Sequence, residues 1–452
     1  MSSFIFATPE ALAQAAGELS GIAETLHGAT AAATPSATGV VAAAGDEVST
    51  AIARVFGGYA NDFLGLTAQA AQAHDQFARA VGEAGAAYSA AEAANVPPMV
   101  QTVVQKFFDQ GMFSPFTYLT GQPLFGKLAV GPAVGSGPLY AGTGTPGPVT
   151  AVKEGYAYLE IPVGPHGYDA PTRWFFPTQA NGTVDARGVI YLQHGFTGTG
   201  GWYSDLAIAL ARGTDCIVVV PTLSSIPLPM GAYLSGNQMP QAVAGLFLGN
   251  ETSLNLSASQ AGFHGTLPPQ FVLTGHSSGG SLATLAAGDY IAGLGGNVAA
   301  NHLLGVVMFD GFAGNGSAFA SAVTYLKSMS IPDYVVAAPG KLFDALGATT
   351  SELVNLYPGQ FVGIELANGS HVDSMLGGNP VIDFVAQLIT SFSPPGDTEA
   401  VYTLSTGWIN DFFAGGGPTN PIYGIYGPTG GYLPPGGQHI SLGQATGIVL
   451  PV

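Results

Sequence analysis

One serine stands where an apolar run, a tight glycine turn and a helix meet. Phe271-Val272-Leu273-Thr274 leads into Gly275-His276-Ser277-Ser278-Gly279, and Ser281-Leu282-Ala283-Thr284-Leu285-Ala286-Ala287 leads out with helical character. Strand, sharp turn and helix in that order lift a serine hydroxyl to the top of a sheet. The chain reverses within a few residues, so a side chain beside the serine would collide and glycine is needed on either side. In a chain with 66 glycines the bare five-residue pattern is weak, and its flanks give it meaning.

From Thr150 onward, apolar runs alternate with helical patterns. Val189 to Leu192, Ile217 to Val220, Phe271 to Leu273, Val306 to Phe309, Tyr334 to Val336 and Phe361 to Ile364 read as buried strands. Leu206 to Ala211 and Val381 to Phe392 read as helices. The alternation predicts a mostly parallel sheet with helices on both faces, and ligands then gather at the carboxyl ends of the strands.

Composition narrows the partners. Of 452 residues only 8% are charged, and the formal net charge is −18. No basic stripe exists to neutralise phosphates, which argues against nucleic acid as a partner. Cys216, the single cysteine, permits no intramolecular disulfide and reads as a small buried hydrophobe in the run Cys216 to Val220. The first residues lack a basic stretch followed by an apolar core, so no Sec-type signal peptide is expected. No apolar run is long enough for a transmembrane segment. The motifs ask for no metal and no cofactor.

A serine hydroxyl is a poor nucleophile at neutral pH and needs a base within hydrogen-bond reach, itself oriented by a carboxylate. With Ser277 as nucleophile, His371 is the best base among nine histidines, in the loop Asn368-Gly369-Ser370-His371-Val372-Asp373 after the last strand. His276 adjoins the serine and is expected to point away, and His439 is a distant second. Asp310 directly follows Val306 to Phe309 and is the preferred acid, with Asp344, one strand further on, left open as the alternative. Asp333 precedes its strand and belongs at the wrong end of the sheet, while the direction of Asp373 is not set by the sequence.

Ser277, Asp310 and His371 follow one another in the order of the α/β-hydrolase fold, which residues 150–395 resemble. The layout is similar to that of chlorophyllase- and cutinase-like esterases. His194-Gly195-Phe196-Thr197-Gly198 resembles the His-Gly oxyanion loop of lipases and esterases. That resemblance implies an oxyanion hole formed by the backbone N–H groups of Phe196 and Ser278, with His194 structural. Between Pro221 and Gln270 an insertion rich in Ile226, Leu228, Met230, Leu234, Met239 and Leu246 fits either a lid or acyl pocket, or plain helix packing on the sheet. The reaction class expected is cleavage of ester or lipid substrates through an acyl-enzyme. Two other readings stay open: an acyltransferase of the cell envelope, and a non-catalytic surface or secretion interaction protein.

The first 95 residues are of another kind. Thr8 is placed to cap a helix with Pro9 at its first position, and Leu12, Ala15, Leu19, Ile22 and Leu26 mark one apolar face. The stretch Gly28 to Val40, with Pro35 and Gly39, breaks the pattern, and a second helix follows from Val48 to Val81. Two alanine-rich helices bury little by themselves, so their apolar stripe wants a partner. Phe4-Ile5-Phe6-Ala7-Thr8-Pro9-Glu10, together with Tyr88 and Glu92, resembles the PE domain of mycobacterial PE proteins. The whole chain is similar to PE proteins that carry a C-terminal serine-hydrolase domain of the PE-PPE type. The resemblance implies pairing with a PPE-family protein and export by the type VII secretion machinery, with Tyr88 and Glu92 as the secretion signal. The protein is then expected to be secreted or attached to the cell envelope.

The organisation expected is an N-terminal α-helical hairpin at 1–96, a Gly/Pro-rich linker at 97–149, an α/β-hydrolase domain at 150–395 and a Gly/Pro/Tyr-rich extension at 396–452. The linker is expected to be flexible from Gly126 to Pro148, and the extension to dock partly on the body through Tyr402, Trp408, Ile409, Phe412 and Phe413.

Overall fold

The computed structural model describes residues 9–58, 60–61, 64, 130–133, 136–142, 147–164, 167–225, 232–340, 347–376, 393–394 and 396–452. The chain divides into two compact units, Met1–Val103 and Val104–Val452.

In the first unit, helix α1 (Pro9–Thr38) runs through Pro35 without a break, where the sequence pattern predicted an interruption from Gly28. Proline removes one backbone donor and crowds the carbonyl four residues back. Here it falls in the final turn, where the Thr34 and Thr38 hydroxyls donate to the carbonyls of Thr30 and Thr34 at 2.7 and 2.8 Å. Thr8 lies outside the described residues. Helix α2, described over 47–58, starts behind Asp46, whose carboxylate accepts from the Ser49 amide at 2.9 Å as an N-cap. Val48, Ile52, Val55 and Phe56 of α2 are all more than half exposed. Their spacing is that of one apolar helix face that no described residue of this unit covers.

Among the described residues, the second unit is an 11-stranded sheet flanked by helices. Its strands are β1 (Gly131–Pro132), β3 (Ala151–Ile161), β4 (Tyr168–Thr178), β5 (Val189–Gln193), β6 (Ile217–Pro221), β8 (Phe271–His276), β9 (Leu303–Phe309), β10 (Asp333–Ala337), β11 (Gly363–Leu366), β12 (His439–Leu442) and β13 (Ala445–Leu450). A small parallel pair, β2 (Leu139–Tyr140) with β7 (Phe263–His264), stands apart. The main order is β1-β3-β4-β6-β5-β8-β9-β10-β11-β13-β12. From β6 to β11 every neighbouring pair is parallel, while β4 and β13 run against them.

This is the α/β-hydrolase arrangement, and one feature of it places the site. The crossover from β5 leads to β6 on one side, whereas β8 pairs with β5 on the other. The crevice outside the carboxyl ends of β5 and β8 is therefore a topological switch point, where ligands of such sheets bind. Register keeps these ends level: Gln193 pairs with Gly275, and His276 with Phe309. The loops that begin at His194, Ser277 and Asp310 thus open side by side.

Both faces of the sheet are covered. β5 buries all its residues, Val189 and Tyr191 in the core of one face, Ile190 and Leu192 in that of the other. Strands buried on both faces read as continuous apolar runs, which is how they are visible in the sequence. One face carries α6 (Ser278–Gly293), α7 (Gly316–Ser328) and α8 (Ala348–Leu356), and a Cβ at Gly288 would lie 2.6 Å from the Ala322 Cα, so α6 and α7 touch at the backbone. On the other lies α3 (Ser204–Thr214).

The described part of the insertion after β6 packs on the sheet through two helices. Helices α4 (Met239–Gly245) and α5 (Thr252–Gln260) bury Met239, Leu246 and Leu254, and Phe247 stacks on Phe271 at 4.0 Å between ring centres. Ile226, Leu228 and Met230 lie outside the described residues, as does the helix expected at Val381 to Phe392. Two segments expected to be loose are instead built in. Part of the supposed flexible linker forms β1 and β2, with Leu139 buried and its amide donating to the Gly262 carbonyl at 2.8 Å. The final segment forms a long helix, α9 (Asp397–Ala414), and then β12 and β13, which extend the sheet from β11. Trp408 and Ile409 are wholly buried, beyond the partial docking expected.

Candidate active site

Ser277 occupies the turn between β8 and α6 with φ 53° and ψ −124°. A non-glycine residue at positive φ costs about 1–3 kcal/mol and persists only where its surroundings enforce it. Here the Ser277 amide donates to the Phe309 carbonyl at 3.0 Å, and the Ser277 carbonyl accepts from the Phe312 amide at 2.9 Å. The flanking glycines are required in atomic terms. A Cβ at Gly275 would lie 2.2 Å from the Gly279 carbonyl oxygen, and one at Gly279 would lie 2.4 Å from the His194 carbonyl oxygen.

Asp310 follows β9 at φ 43° and is buried. Its Oδ2 faces His371 Nδ1 at 2.5 Å, and its Oδ1 accepts from the Ala338 amide at 3.1 Å. A neutral imidazole that gives its Nδ1 proton to this carboxylate keeps Nε2 as an acceptor. The structure thus brings together two of the residues expected, Asp310 and His371, from loops after β9 and β11. Asp344 lies outside the described residues. Asp333 is at the opposite end of the sheet, where the Thr284 hydroxyl donates to it at 3.1 Å and burial pushes its carboxyl up to about 7. Asp373 turns back into its own loop and accepts from the Ser370 amide at 2.8 Å; burial also lifts its carboxyl to about 7. His439 is exposed on the edge strand β12.

The loop after β5 passes directly over the turn, since a Cβ at Gly195 would lie 3.1 Å from the Ser277 Cβ. Next to Gly195, Phe196 is 56% exposed, and Thr197 at φ 61° is held by its amide donating to Ser225 Oγ at 2.7 Å. Ser278 is the first residue of α6, and such an amide has no partner within its helix. His194 is fully buried; its Nδ1 donates to the Gly195 carbonyl at 2.7 Å and its Nε2 accepts from the Leu223 amide at 2.8 Å. Burial lowers it to about 4, so it stays neutral as a brace between loops.

A cavity of about 670 Å³ adjoins the turn, lined by Ser278, Leu282, Leu285 and Phe312 and, in equal measure, by polar residues such as Asn237 and Asp289. Two residues that the sequence reading passed over or set aside join the site. His276 does not simply point away: its ring is buried 4.6 Å from that of His371. Tyr203 carries no motif, and only the fold brings its hydroxyl to His276 Nδ1, at 2.6 Å.

Comparison with known proteins separates the two units. Residues 5–95 match the PE family. PE_PGRS8 of Mycobacterium tuberculosis (strain ATCC 25618 / H37Rv) is 40% identical over 129 residues, which cover 28% of this chain and 71% of that protein. The chain belongs to the PE family. Longer PE relatives from the same species include PE_PGRS44, 42% identical over 149 residues, and PE_PGRS3, 41% identical over 129. This PE protein spans 27% of the former and 12% of the latter. The family match ends at residue 95, ahead of every residue of the candidate site. Tyr88 and Glu92 of the PE region lie outside the described residues.

Among solved structures, the PE chain is similar to a thermostable esterase from Pseudomonas putida, with a TM-score of 0.37 and 12% identity over 59% of this chain and 84% of that one. It is likewise similar to carboxyl esterase 2 of the fungus Tuber melanosporum, with a TM-score of 0.37 and 16% identity over 60% and 90%. The fold assignment rests on the strand order and the turn geometry of this chain.

Proposed function

We propose that the body of this PE protein is a serine hydrolase that cleaves carboxylic esters of apolar acyl groups. The contact between Asp310 and His371 Nδ1, over loops that open level with Ser277, carries this reading. In the first half-reaction His371 Nε2 takes the Ser277 proton as Oγ attacks the ester carbonyl. The tetrahedral oxyanion is met by the amides of Phe196 and Ser278, and the alcohol leaves with the proton from His371. Water then repeats the sequence on the acyl-enzyme. Asp310 holds the imidazole in the productive tautomer and stabilises its charged form. The acyl chain lies in the cavity beside Ser278, against Leu282, Leu285 and Phe312.

The test is hydrolysis of p-nitrophenyl esters of graded chain length by wild type and Ser277→Ala, with fluorophosphonate labelling alongside. Loss of both activity and label in the variant, with an optimum set by the cavity, is expected. Equal rates in the two proteins would remove Ser277 as nucleophile, and silence with no label in wild type would favour a binding role.

For the N-terminal unit, pairing with a PPE-family protein through the uncovered face of Val48, Ile52, Val55 and Phe56 is the matching proposal. Export by type VII secretion, read through Tyr88 and Glu92, would take the enzyme to the envelope or beyond it. Among the described residues no helix is long and apolar enough to cross a membrane.

A further inference from the structure

We infer that Tyr203 and His276 are positioning residues that hold the oxyanion loop and the base loop in register with Ser277. The inference rests on the serine-hydrolase reading above and adds two residues to it. Three hydrogen bonds, two buried and the third partly buried, form one chain. The Gly195 amide donates to the Tyr203 hydroxyl at 3.0 Å, that hydroxyl donates to His276 Nδ1 at 2.6 Å, and His276 Nε2 donates to the His371 carbonyl at 2.6 Å.

Each end of this chain is one covalent step from the chemistry. Gly195 precedes Phe196, His276 precedes Ser277, and the carbonyl at the far end belongs to His371 itself. Proton placement is consistent along the whole path. The Tyr203 oxygen accepts one hydrogen and gives one, and an imidazole that accepts at Nδ1 must donate at Nε2. Both side chains are sealed from solvent, Tyr203 at 1% and His276 at 4% exposure. Burial, with His371 adjacent, holds His276 well below the usual imidazole range, so the neutral ring this pattern requires persists at working pH.

The network does what packing alone does not. A phenylalanine at 203 would fill the same volume, yet leave the Gly195 amide and His276 Nδ1 without their partner. The loop over the ring has no slack, since a Cβ at Gly195 would sit 2.8 Å from His276 Nδ1. A shift of about 1 Å in a donor or base costs about 100-fold in rate, so fixing these loops matters more to turnover than to stability.

The experiment uses the full chain with p-nitrophenyl butyrate and compares wild type, Tyr203→Phe, His276→Leu, His276→Gln and Ser277→Ala, each checked by thermal melting. Tyr203→Phe and His276→Leu are expected to lower kcat by about 10- to 100-fold with KM within about two-fold. Glutamine places an amide N–H near the position of imidazole Nε2, so His276→Gln should recover most of what leucine loses. Wild-type kcat in both Tyr203→Phe and His276→Leu overturns the inference. So does a fall that only follows the loss of folded protein, or a glutamine variant no better than leucine. If His276→Leu fails to fold, Tyr203→Phe and His276→Gln decide. Activity retained by Ser277→Ala would sink the reading of the whole site, a result separate from these.

Discussion

At the scale of single residues, the site is shaped by groups whose ordinary behaviour the fold overrides. Asp310 is buried on a backbone held at φ 43°, with two donors facing its carboxyl group, His371 Nδ1 and the Ala338 amide. Asp310→Asn keeps the shape but offers the imidazole a neutral partner that favours the wrong tautomer. A loss of about 10³- to 10⁴-fold in kcat is expected, read from steady-state kinetics beside a wild-type melting curve. Asp333 does the opposite job, far from the chemistry. Its carboxyl is raised from 3.8 to about 7 by burial, with one hydroxyl donor opposing the shift. The folded state therefore holds a proton that the unfolded state releases, and this contribution to stability fades as pH rises from about 4 to about 7. Melting temperatures should decline across that window in wild type and decline less in Asp333→Asn. An equally steep decline in the variant would assign the pH dependence elsewhere, with Asp373 the next group to test.

At the scale of elements, apolar and polar anchors decide what is structure and what is tail. The last segment was expected to dock partly, on the strength of its aromatics, yet α9 and β13 are integral to the sheet. The reason is visible in Asp411, which no aromatic count reveals. Its wholly buried carboxylate accepts from the amides of Ile422, Tyr423 and Gly424, at 3.1, 2.7 and 3.0 Å, and from the Tyr426 hydroxyl at 2.9 Å. One side chain thereby fixes the glycine- and proline-rich return to β12. Asp411→Ala leaves those donors buried and unsatisfied, and should cost about 3 kcal/mol or more in urea unfolding. A change within about 0.5 kcal/mol would mean that the return is held by packing alone. Helix α1 carries the reverse lesson. A proline predicted to break it sits in the last turn, where it forfeits only the backbone bond to the Ala31 carbonyl.

At the scale of the whole molecule, a PE-family unit and a hydrolase-fold unit share one chain, divided near Val103. The candidate site lies entirely in the second unit. Residues 104–452 expressed alone should therefore hydrolyse p-nitrophenyl esters with kcat/KM within about two-fold of the full chain. The same truncation removes Tyr88 and Glu92, and secretion in a mycobacterial host should be lost. Export of the truncated form, detected in culture filtrate, would move the signal elsewhere. The amino-acid sequence by itself determined the alternation of buried strands and helices, the turn at Ser277 and the order of a serine, an acid at Asp310 or Asp344, and a histidine at His371. These are local facts: doubly buried strands must be apolar throughout, and the chain reversal at Ser277 tolerates no Cβ at Gly275 or Gly279. Only the tertiary structure decided that Asp310 faces His371, that Asp373 turns away, and that Tyr203 and His276 join three loops. The contacts of Asp310 with His371, of Tyr203 with His276 and of His276 with His371 link residues 61 to 95 positions apart, so no spacing along the chain encodes them.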